Sequence, residues 1–375
     1  MNAQKKRCWA EISLDNIEYN YRSMRSRLPD GCKFLGVVKA NAYGHGAVEV
    51  AKVLEGAGAD YLAVACIDEA VELRENGIGL PILVLGYTAA EYTRQLIEYN
   101  ITQNVIDHEI GCAYALEAER LGKVLKCHLK VDSGMGRLGF REDVPIDKAA
   151  ELLVLRSLNF EGVFTHFAVS DDLNDDGYTQ QQYKSFINRV RELESLSGKK
   201  FELIHCANSG AMLNYEHTYH NMVRPGIMLY GHYPDKDTAG INIRPAMTLK
   251  TRIVQIKNVV PGDTVSYGRI WRAEKPTKIA VLSIGYADGL SRRLSDKAEF
   301  LLNGSRIRQI GRICMDMCMV DISEVPQAAV GDEVIIFGEE LPIEEHANKI
   351  GTISYEMLCN VSVRVPRVYT HCEKA

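Results

Sequence analysis

Residues 34–231 repeat one local pattern, in which a short apolar run is followed by a longer segment with helical periodicity. Strands that alternate with helices run parallel, because each helix returns the chain to the same edge of the sheet. Eight repeats fit a closed (β/α)8 barrel of the α/β class, and an open doubly wound sheet is the alternative. The eight predicted strands are 34–39, 61–67, 81–86, 102–106, 127–132, 162–167, 201–208 and 226–231.

The pattern changes after residue 243 to alternating β-branched runs separated by turn residues. A chain of 375 residues is long enough for two domains of unequal size. We therefore expect residues 14–243 to form the barrel and residues 244–375 to form a mostly β domain that residues 1–13 join. In the barrel, chemistry is expected at the carboxyl ends of the strands and in the loops after them.

Composition excludes several classes of function. The formal net charge is −5 and the basic residues are spread along the chain, so nucleic acid is not an expected partner. None of the ten cysteines lies in a CxxC pair, and no metal site is predicted. We find neither a secretion signal nor an apolar run long enough for a membrane helix. A cytoplasmic protein is expected, or the cytosolic domain of a larger membrane protein.

Lys39 ends a predicted strand and is followed at once by the loop ANAYGHG. A lysine at the end of an apolar run can simply extend its ammonium group into solvent. Alternatively, a lysine that is partly desolvated at a barrel mouth has a lowered pKa and can form a Schiff base. Backbone N–H groups of a glycine-containing loop can face a phosphate. Both interpretations are open at this point.

The segment VVKANAYGHG, residues 37–46, resembles the cofactor-lysine motif of alanine racemases, which are pyridoxal 5'-phosphate (PLP) enzymes with a (β/α)8 barrel and a β-rich C-terminal domain. Further segments resemble the family in the same order along nearly the whole chain. The resemblance implies a racemase that interconverts L- and D-alanine and supplies D-amino acid for peptidoglycan. The further segments are HLKVDSGMGRLGF, FTHFA, NMVRPGI, SYGR, IGYADG, GRICMD and YEMLC.

The resemblance implies two catalytic bases, because a single base would tend to return the proton to the face of the α-carbon from which it came. Lys39 would hold PLP as a Schiff base and serve one face. Tyr267 would serve the other face from a partner subunit, which implies a homodimer with shared active sites. A phenol has a pKa near 10 and needs help to act as a base near neutrality. His166 resembles a neighbour that tunes this site.

Other family positions imply contacts to the cofactor. Arg224 resembles the residue that contacts the pyridine nitrogen of PLP. A guanidinium is not deprotonated in practice, so it would not donate a full proton, and the ring would be a weaker electron sink. The remaining implied cofactor contacts, most of them to the phosphate, are Tyr43, Asn208, Ser209, Gly226, Ile227 and Tyr355. Gly226 and Ile227 begin the eighth predicted strand.

The implied substrate site draws on both domains. Arg137 resembles the arginine that contacts the substrate carboxylate or the phenolic oxygen of PLP. Lys130 resembles a lysine that many members carry as a carbamate to hold that arginine. Met315 and Asp316 match residues that line the substrate site from the partner subunit, and Tyr286 resembles part of the entrance. A narrow entrance would restrict the substrate to small side chains.

Two segments depart from the family pattern. Met317 stands where most members have glutamine, and residues 169–172 read VSDD. The second variant resembles the racemase domain of membrane-bound serine racemases linked to vancomycin resistance, so L-serine is an alternative substrate, although Tyr355 is the alanine-type residue. PLP-dependent decarboxylases and non-catalytic PLP carriers are further alternatives. Decarboxylases pair the pyridine nitrogen with a carboxylate, and the carriers lack the β domain.

Overall fold

The computed structural model describes residues 6–235 and 240–371, and only the backbone of Asp176 within that range. The chain divides into two compact units. The unit that we call the barrel unit comprises the described residues of 17–42 and 47–243. The other, which we call the β unit, comprises the described residues of 1–16, 43–46 and 244–375.

The strands follow one another in chain order as β1 (Cys8–Ser13), β2 (Lys33–Val37), β3 (Tyr61–Val64), β4 (Ile82–Val84), β5 (Ile101–Val105), β6 (Leu125–Lys130), β7 (Leu158–Phe164), β8 (Leu203–His205), β9 (Met222–Val223), β10 (Met247–Val259), β11 (Thr264–Val265), β12 (Trp271–Arg272), β13 (Thr277–Leu282), β14 (Glu299–Leu302), β15 (Ser305–Ile310), β16 (Cys318–Asp321), β17 (Glu333–Phe337) and β18 (Arg367–Thr370). The α-helices are α1 (Leu14–Arg25), α2 (Ala47–Ala57), α3 (Ile67–Glu75), α4 (Thr93–Glu98), α5 (His108–Arg120), α6 (Ile146–Leu153), α7 (Asp176–Ser197), α8 (Ser209–Asn214), α9 (Ile343–Ile350) and α10 (Ser354–Cys359).

The barrel unit contains one parallel sheet of eight strands in the order β8-β7-β6-β5-β4-β3-β2-β9. Its two end strands, β8 and β9, lie close together. The N–H of Arg224, directly after β9, donates to the carbonyl of Ala207 beyond β8 at 2.8 Å. All residues of β3 and β4 are buried, as expected for parallel strands covered on both faces. The predicted barrel is confirmed as a nearly closed eight-stranded barrel, and the open doubly wound alternative is wrong.

The eighth strand lies earlier than predicted. Met222–Val223 pairs with β2, whereas the predicted strand 226–231 contains the 3-10 helix Ile227–Tyr230. Pro225 has no N–H with which to extend the strand ladder, which explains why the strand ends before it. Gly226 and Ile227 therefore follow the eighth strand at its carboxyl end and do not begin it.

The β unit is built on the long strand β10, which pairs with β1 and β17 over its first half and with β13 over its second half. Strands β13, β16, β15, β14 and β17 then lead back to β10, so these six antiparallel strands form a closed ring. Closure leaves no unpaired strand edge within the ring. Strand β18 adds to β1 in parallel. The second domain is thus mostly β, as predicted.

Candidate active site

Lys39 lies two residues beyond β2, at the carboxyl end of the first barrel strand, and begins the helical turn Lys39–Tyr43. The four residues after Lys39 have φ between 52° and 53°. Left-handed φ costs about 1–2 kcal/mol for each residue that is not glycine, so the surroundings must hold this turn. Glu69 accepts the N–H of Ala40 at 2.6 Å, and Asn41 accepts the first N–H of α2 at 2.8 Å. These bonds fix the backbone at Lys39.

Arg224 lies directly after β9 and is buried. Its guanidinium donates to Nδ1 of His205 at 3.1 Å and to the carbonyl oxygens of Thr165 at 2.7 Å and Cys206 at 3.3 Å. Because Nδ1 of His205 accepts, its Nε2 carries the ring proton and donates to Nδ1 of His128 at 2.9 Å. Nε2 of His128 then carries a proton and has no hydrogen-bond partner within the described residues. The chain of bonds fixes both tautomers.

The histidines around Arg224 are held neutral. Burial, and then the charge of Arg224, lowers the pKa of His128 to about 3 and the pKa values of His166 and His205 well below their usual range. Burial also lowers the pKa of Arg224 to about 10, so its guanidinium remains a cation near neutrality. The site therefore presents a permanent positive charge among neutral imidazoles.

Acid should destabilise the protein through His128. The folded pKa is about 3 and the unfolded value is about 6.5, so the unfolded chain binds more protons between these values and stability falls as the pH falls. Between pH 7 and pH 5 this residue should account for about 2 kcal/mol of the loss. We expect His128→Asn to reduce the difference in unfolding free energy between these pH values, measured by urea denaturation, by that amount. The control variant His371→Asn, at an exposed histidine, should leave that difference unchanged. If His128→Asn also left it unchanged, the conclusion that His128 is buried in its neutral form would be wrong.

Asp132 organises the loop that carries Arg137. Its carboxylate accepts the N–H of Gly134 at 3.0 Å and the N–H of Arg137 at 3.1 Å. Further along the loop, Gly139 has a φ of 119°, and a Cβ there would lie 2.7 Å from the side chain of Lys130. This position therefore requires glycine. The loop holds the backbone of Arg137 beside the end of β6.

Lys130, the last residue of β6, is buried, and its Nζ has no hydrogen-bond partner within the described residues. The Nζ lies 4.5 Å from the ring centroid of Phe164. Burial, and then the charges of Arg224 and Arg137, lowers the pKa of Lys130 well below its usual value. The amine is therefore held toward its neutral form, which is the nucleophilic one.

Helix α7 fixes the segment around His166. Gln182 accepts the N–H of Ala168 at 2.9 Å and donates to the carbonyl of His166 at 3.3 Å. On the same helix, the Tyr178 hydroxyl donates to the carbonyl of Gly134 at 2.7 Å. The imidazole Nδ1 of His166 lies 3.5 Å from the guanidinium of Arg224. One helix thus supports both the His166 segment and the loop of Arg137.

Ser209 and Gly226 join the ends of the last two barrel strands. Ser209 begins α8, and its hydroxyl oxygen accepts the N–H of Gly226 at 3.0 Å. Asn208 caps the same helix by accepting the N–H of Ala211 at 2.9 Å. Ile227 follows as the first residue of a 3-10 helix. The late strand ends are where barrels commonly bind phosphate.

In the β unit, the rings of Tyr43 and Tyr355 lie 6.0 Å apart, centroid to centroid. Tyr43 is buried, and burial raises the pKa of its hydroxyl above the usual value. Tyr43 is therefore a neutral hydrogen-bond donor near neutrality. The short segment 43–46 is held by Arg367, which donates to the carbonyl of Gly44 at 2.9 Å.

Three turns of the β unit form a surface that we call the exposed ridge, comprising residues 266–270, 285–287 and 312–317. The N–H of Tyr286 donates to the carbonyl of Cys314 at 3.0 Å, and the Ser266 hydroxyl donates to the carbonyl of Arg312 at 2.6 Å. The ridge carries large side chains that the chain leaves exposed, which is typical of an interaction face. They are Tyr267 (70% exposed), Met315 (53%), Met317 (46%), Ile270 (45%) and Tyr286 (42%).

Comparison with known proteins places the chain in a family. The family models for the N-terminal and C-terminal domains of alanine racemase match residues 12–234 and 246–369. The alanine racemase of Desulforamulus reducens is 46% identical over 369 residues, which cover 97% of this chain and 99% of the relative. The chain belongs to the alanine racemase family.

Solved alanine racemases share the fold. The Clostridium difficile enzyme is 43% identical, with a TM-score of 0.93 over 98% of this chain and 96% of that one. The Bacillus anthracis alanine racemase, solved with bound L-Ala-P, is 35% identical, with a TM-score of 0.90 over 97% of this chain and 95% of that one. These relatives favour alanine over serine as the substrate. The suggested link to membrane-bound serine racemases and vancomycin resistance is unsupported.

The predicted site residues of this racemase family member fall into three groups. Lys39, Lys130, Arg137, His166, Asn208, Ser209, Arg224, Gly226 and Ile227 lie in the barrel unit, at or beyond strand ends. Tyr43 and Tyr355 are neighbours in the β unit, and Tyr267, Tyr286, Met315 and Asp316 lie on the exposed ridge.

Sequence reasoning missed His128 and His205, which lie on β6 and β8 and carry the hydrogen-bond chain behind Arg224. A polar residue inside a buried strand was the available signal.

Metal-ligand clusters and membrane-spanning helices are both absent from the described ranges. The described ranges contain no group of three or more His, Cys, Asp or Glu residues that could hold a metal ion. They also contain no helix that is long and apolar enough to span a membrane.

Proposed function

We propose that this chain interconverts L- and D-alanine with PLP, in a homodimer whose active sites combine Lys39 of one subunit with Tyr267 of the partner subunit. The observation that carries the proposal is the buried Arg224, backed by His205 and His128 and located at the same barrel end as Lys39. Bound PLP supplies an electron sink that stabilises charge at the substrate α-carbon.

The residues present fit this cofactor. Arg224 is held by three acceptors that leave it charged, so it suits a pyridine nitrogen without transferring a proton to it. The loop after β6 adds the guanidinium of Arg137 at the same barrel end, which suits an anionic group. Lys39 would attach the cofactor. The hydroxyl of Ser209 and the N–H of Ile227 would bind the phosphate, with Asn208 holding the helix of Ser209. The N–H of Gly226 would join them by exchanging its bond to Ser209 for one to the phosphate. The resemblance to the family adds the hydroxyls of Tyr43 and Tyr355.

Arg224 also supports racemisation over the alternatives. A PLP-dependent decarboxylase would pair the pyridine nitrogen with a carboxylate, whereas this chain presents a buried guanidinium. The β unit with its exposed ridge distinguishes the chain from a PLP carrier, which is a lone barrel. A weaker electron sink favours rapid return of the proton to carbon. Return from a base on the opposite face inverts the configuration.

Inversion of the configuration requires one base on each face of the α-carbon. The neutral amine of Lys39 takes the α-proton on one face, or its ammonium form returns it. The phenolate of Tyr267 from the partner subunit takes the proton on the other face, or its hydroxyl returns it. His166 is neutral and lies beside Arg224, where it can tune the second base. In the isolated chain Tyr267 is 70% exposed, and a partner that covers the exposed ridge would exclude water from it.

Arg137 and the exposed ridge would select the substrate. The Arg137 guanidinium suits the carboxylate of the amino acid. Lys130 is a candidate for carbamylation, since a neutral amine adds to CO₂ to give a carbamate and a proton, and the new carboxylate can pair with Arg137. Met315, Asp316 and Tyr286 would narrow the entrance to small side chains. We assign the activity to the cytoplasm, where it would supply D-alanine for peptidoglycan.

The test is to incubate the PLP-loaded protein separately with L-alanine and L-serine and to measure the D-enantiomers by chiral chromatography. We expect D-alanine to form rapidly and D-serine at least about tenfold more slowly, because an extra hydroxyl must fit a narrow site. Equal or faster conversion of serine would shift the assignment to a serine racemase. No conversion of either substrate would overturn the proposal.

A further inference from the structure

Arg364 joins two carboxylates of the β unit. Its Nε donates to Oδ1 of Asp288 at 2.8 Å, and its Nη2 donates to Oδ1 of Asp316 at 2.7 Å. The side chain of Asp288 is fully buried, whereas that of Asp316 is half exposed on the ridge. None of the segments that resemble the family contains Arg364. The guanidinium is therefore a bridge from the interior of the β unit to a residue assigned to the substrate site.

Asp288 is a fixed anchor for this bridge. It accepts a hydrogen bond from the N–H of Gly285 at 2.9 Å. It also accepts hydrogen bonds from Nη2 and Nη1 of Arg7, at 2.5 and 3.2 Å respectively. Burial alone would raise the pKa of Asp288, and hydrogen bonds from Arg364 and Arg7 bring it below the usual value. The buried carboxylate is therefore charged at neutral pH and is paired on two sides.

The same anchor fixes the neighbouring turns of the ridge. The N–H groups of Tyr286 and Ala287 donate to the carbonyls of Cys314 and Met315, each at 3.0 Å. A Cβ at Gly285 would collide with those two carbonyl oxygens, so the turns approach as closely as glycine permits. The backbone around Met315 is thus set by hydrogen bonds, and the side chain of Asp316 is set by Arg364.

We propose that Arg364 is a positioning residue for the substrate site, which fixes Asp316 and neutralises its charge where the amino acid enters. This inference rests on the proposed function. An unpaired carboxylate at the entrance would repel the carboxylate of an amino-acid substrate and attract its ammonium group, so it would favour the wrong orientation of the entering molecule. Paired with Arg364, Asp316 can line the entrance without that repulsion. The effect is on substrate binding, not on the proton transfers.

The test compares Arg364→Gln with Arg7→Gln in the PLP-loaded enzyme. Arg7 shares the contact with Asp288 and makes no hydrogen bond to Asp316 within the described residues. We expect Arg364→Gln to raise KM for L-alanine about tenfold and to change kcat less than about threefold, which indicates lost binding without lost chemistry. Arg7→Gln should change both by less than about twofold. Equal KM values in the two variants would overturn the proposal.

A second variant separates charge from structure. Adding Asp316→Asn to Arg364→Gln removes the repelling carboxylate, so KM should return to within about twofold of Asp316→Asn alone. Arg364→Lys keeps the positive charge but loses the planar guanidinium that contacts both carboxylates, so it should raise KM about threefold. Adding Asp316→Asn to Arg364→Lys should cancel that rise. The lysine variant keeps the test valid if Arg364→Gln does not fold. Failure of Asp316→Asn to lower KM in either background would overturn the inference, whereas an inactive wild-type protein would overturn the proposed function.

Discussion

Replacing Lys39 by alanine should abolish racemisation and PLP retention together. Lys39 is the amine at the carboxyl end of β2, and the left-handed turn after it is held by Glu69 and Asn41. Loss of an attachment group that is also a base should lower kcat/KM at least about 10³-fold. D-alanine formation, measured by chiral chromatography, and visible absorbance after gel filtration are the two readouts.

The matched control is Lys33→Ala, because Lys33 is exposed at the opposite end of the same strand. We expect this variant to keep both PLP and activity. Lys130→Ala tests whether the other lysine of the barrel end can replace Lys39. It should retain the cofactor and lose part of the activity through weaker support of Arg137. Turnover that persists in Lys39→Ala would rule out the lysine assignment.

The barrel could be predicted because its strands are buried on both faces and therefore read as short apolar runs between helices. The bounds of a strand could not be predicted where the backbone leaves the regular pattern. Residues 226–231 are apolar and follow the pattern, but Pro225 ends the ladder and the segment turns into a 3-10 helix. Lys39, likewise, lies beyond its strand in a turn that tertiary hydrogen bonds help to maintain, among them those accepted by Glu69 and Asn41.

The sequence offers candidate site residues where a motif is continuous, as around Lys39, Arg224 and Tyr267, and their roles stay predictions. Contacts between distant segments could not be predicted. His128 and His205 are separated by 77 residues and meet because β6 and β8 are both neighbours of β7 in the barrel sheet. Arg364 is separated by 48 residues from Asp316 and by 76 from Asp288, and no local pattern signals that pairing. Such hydrogen bonds depend on the packed fold.

Replacing Tyr267 by phenylalanine should lower racemisation by about 10²–10⁴-fold, the usual contribution of a positioned acid or base, while PLP is retained. Lys39 would still serve its own face. The variant should therefore exchange the α-hydrogen of one enantiomer with deuterium from D₂O, without inversion, which mass spectrometry and chiral chromatography together detect. Tyr92→Phe, an exposed tyrosine outside the ridge, is the control. Unchanged racemisation in Tyr267→Phe would show that another residue is the second base.

Mixed dimers decide whether Tyr267 acts across the subunit interface. A heterodimer of one Lys39→Ala chain and one Tyr267→Phe chain, purified with two different tags, contains one site with both changes and one site with neither if the sites are shared. It should recover about half of wild-type activity, although both parent homodimers are inactive. If Lys39 and Tyr267 of the same chain formed one site, each site of the heterodimer would lack one base. The heterodimer would then be as inactive as its parents, and the exposed ridge would need another role.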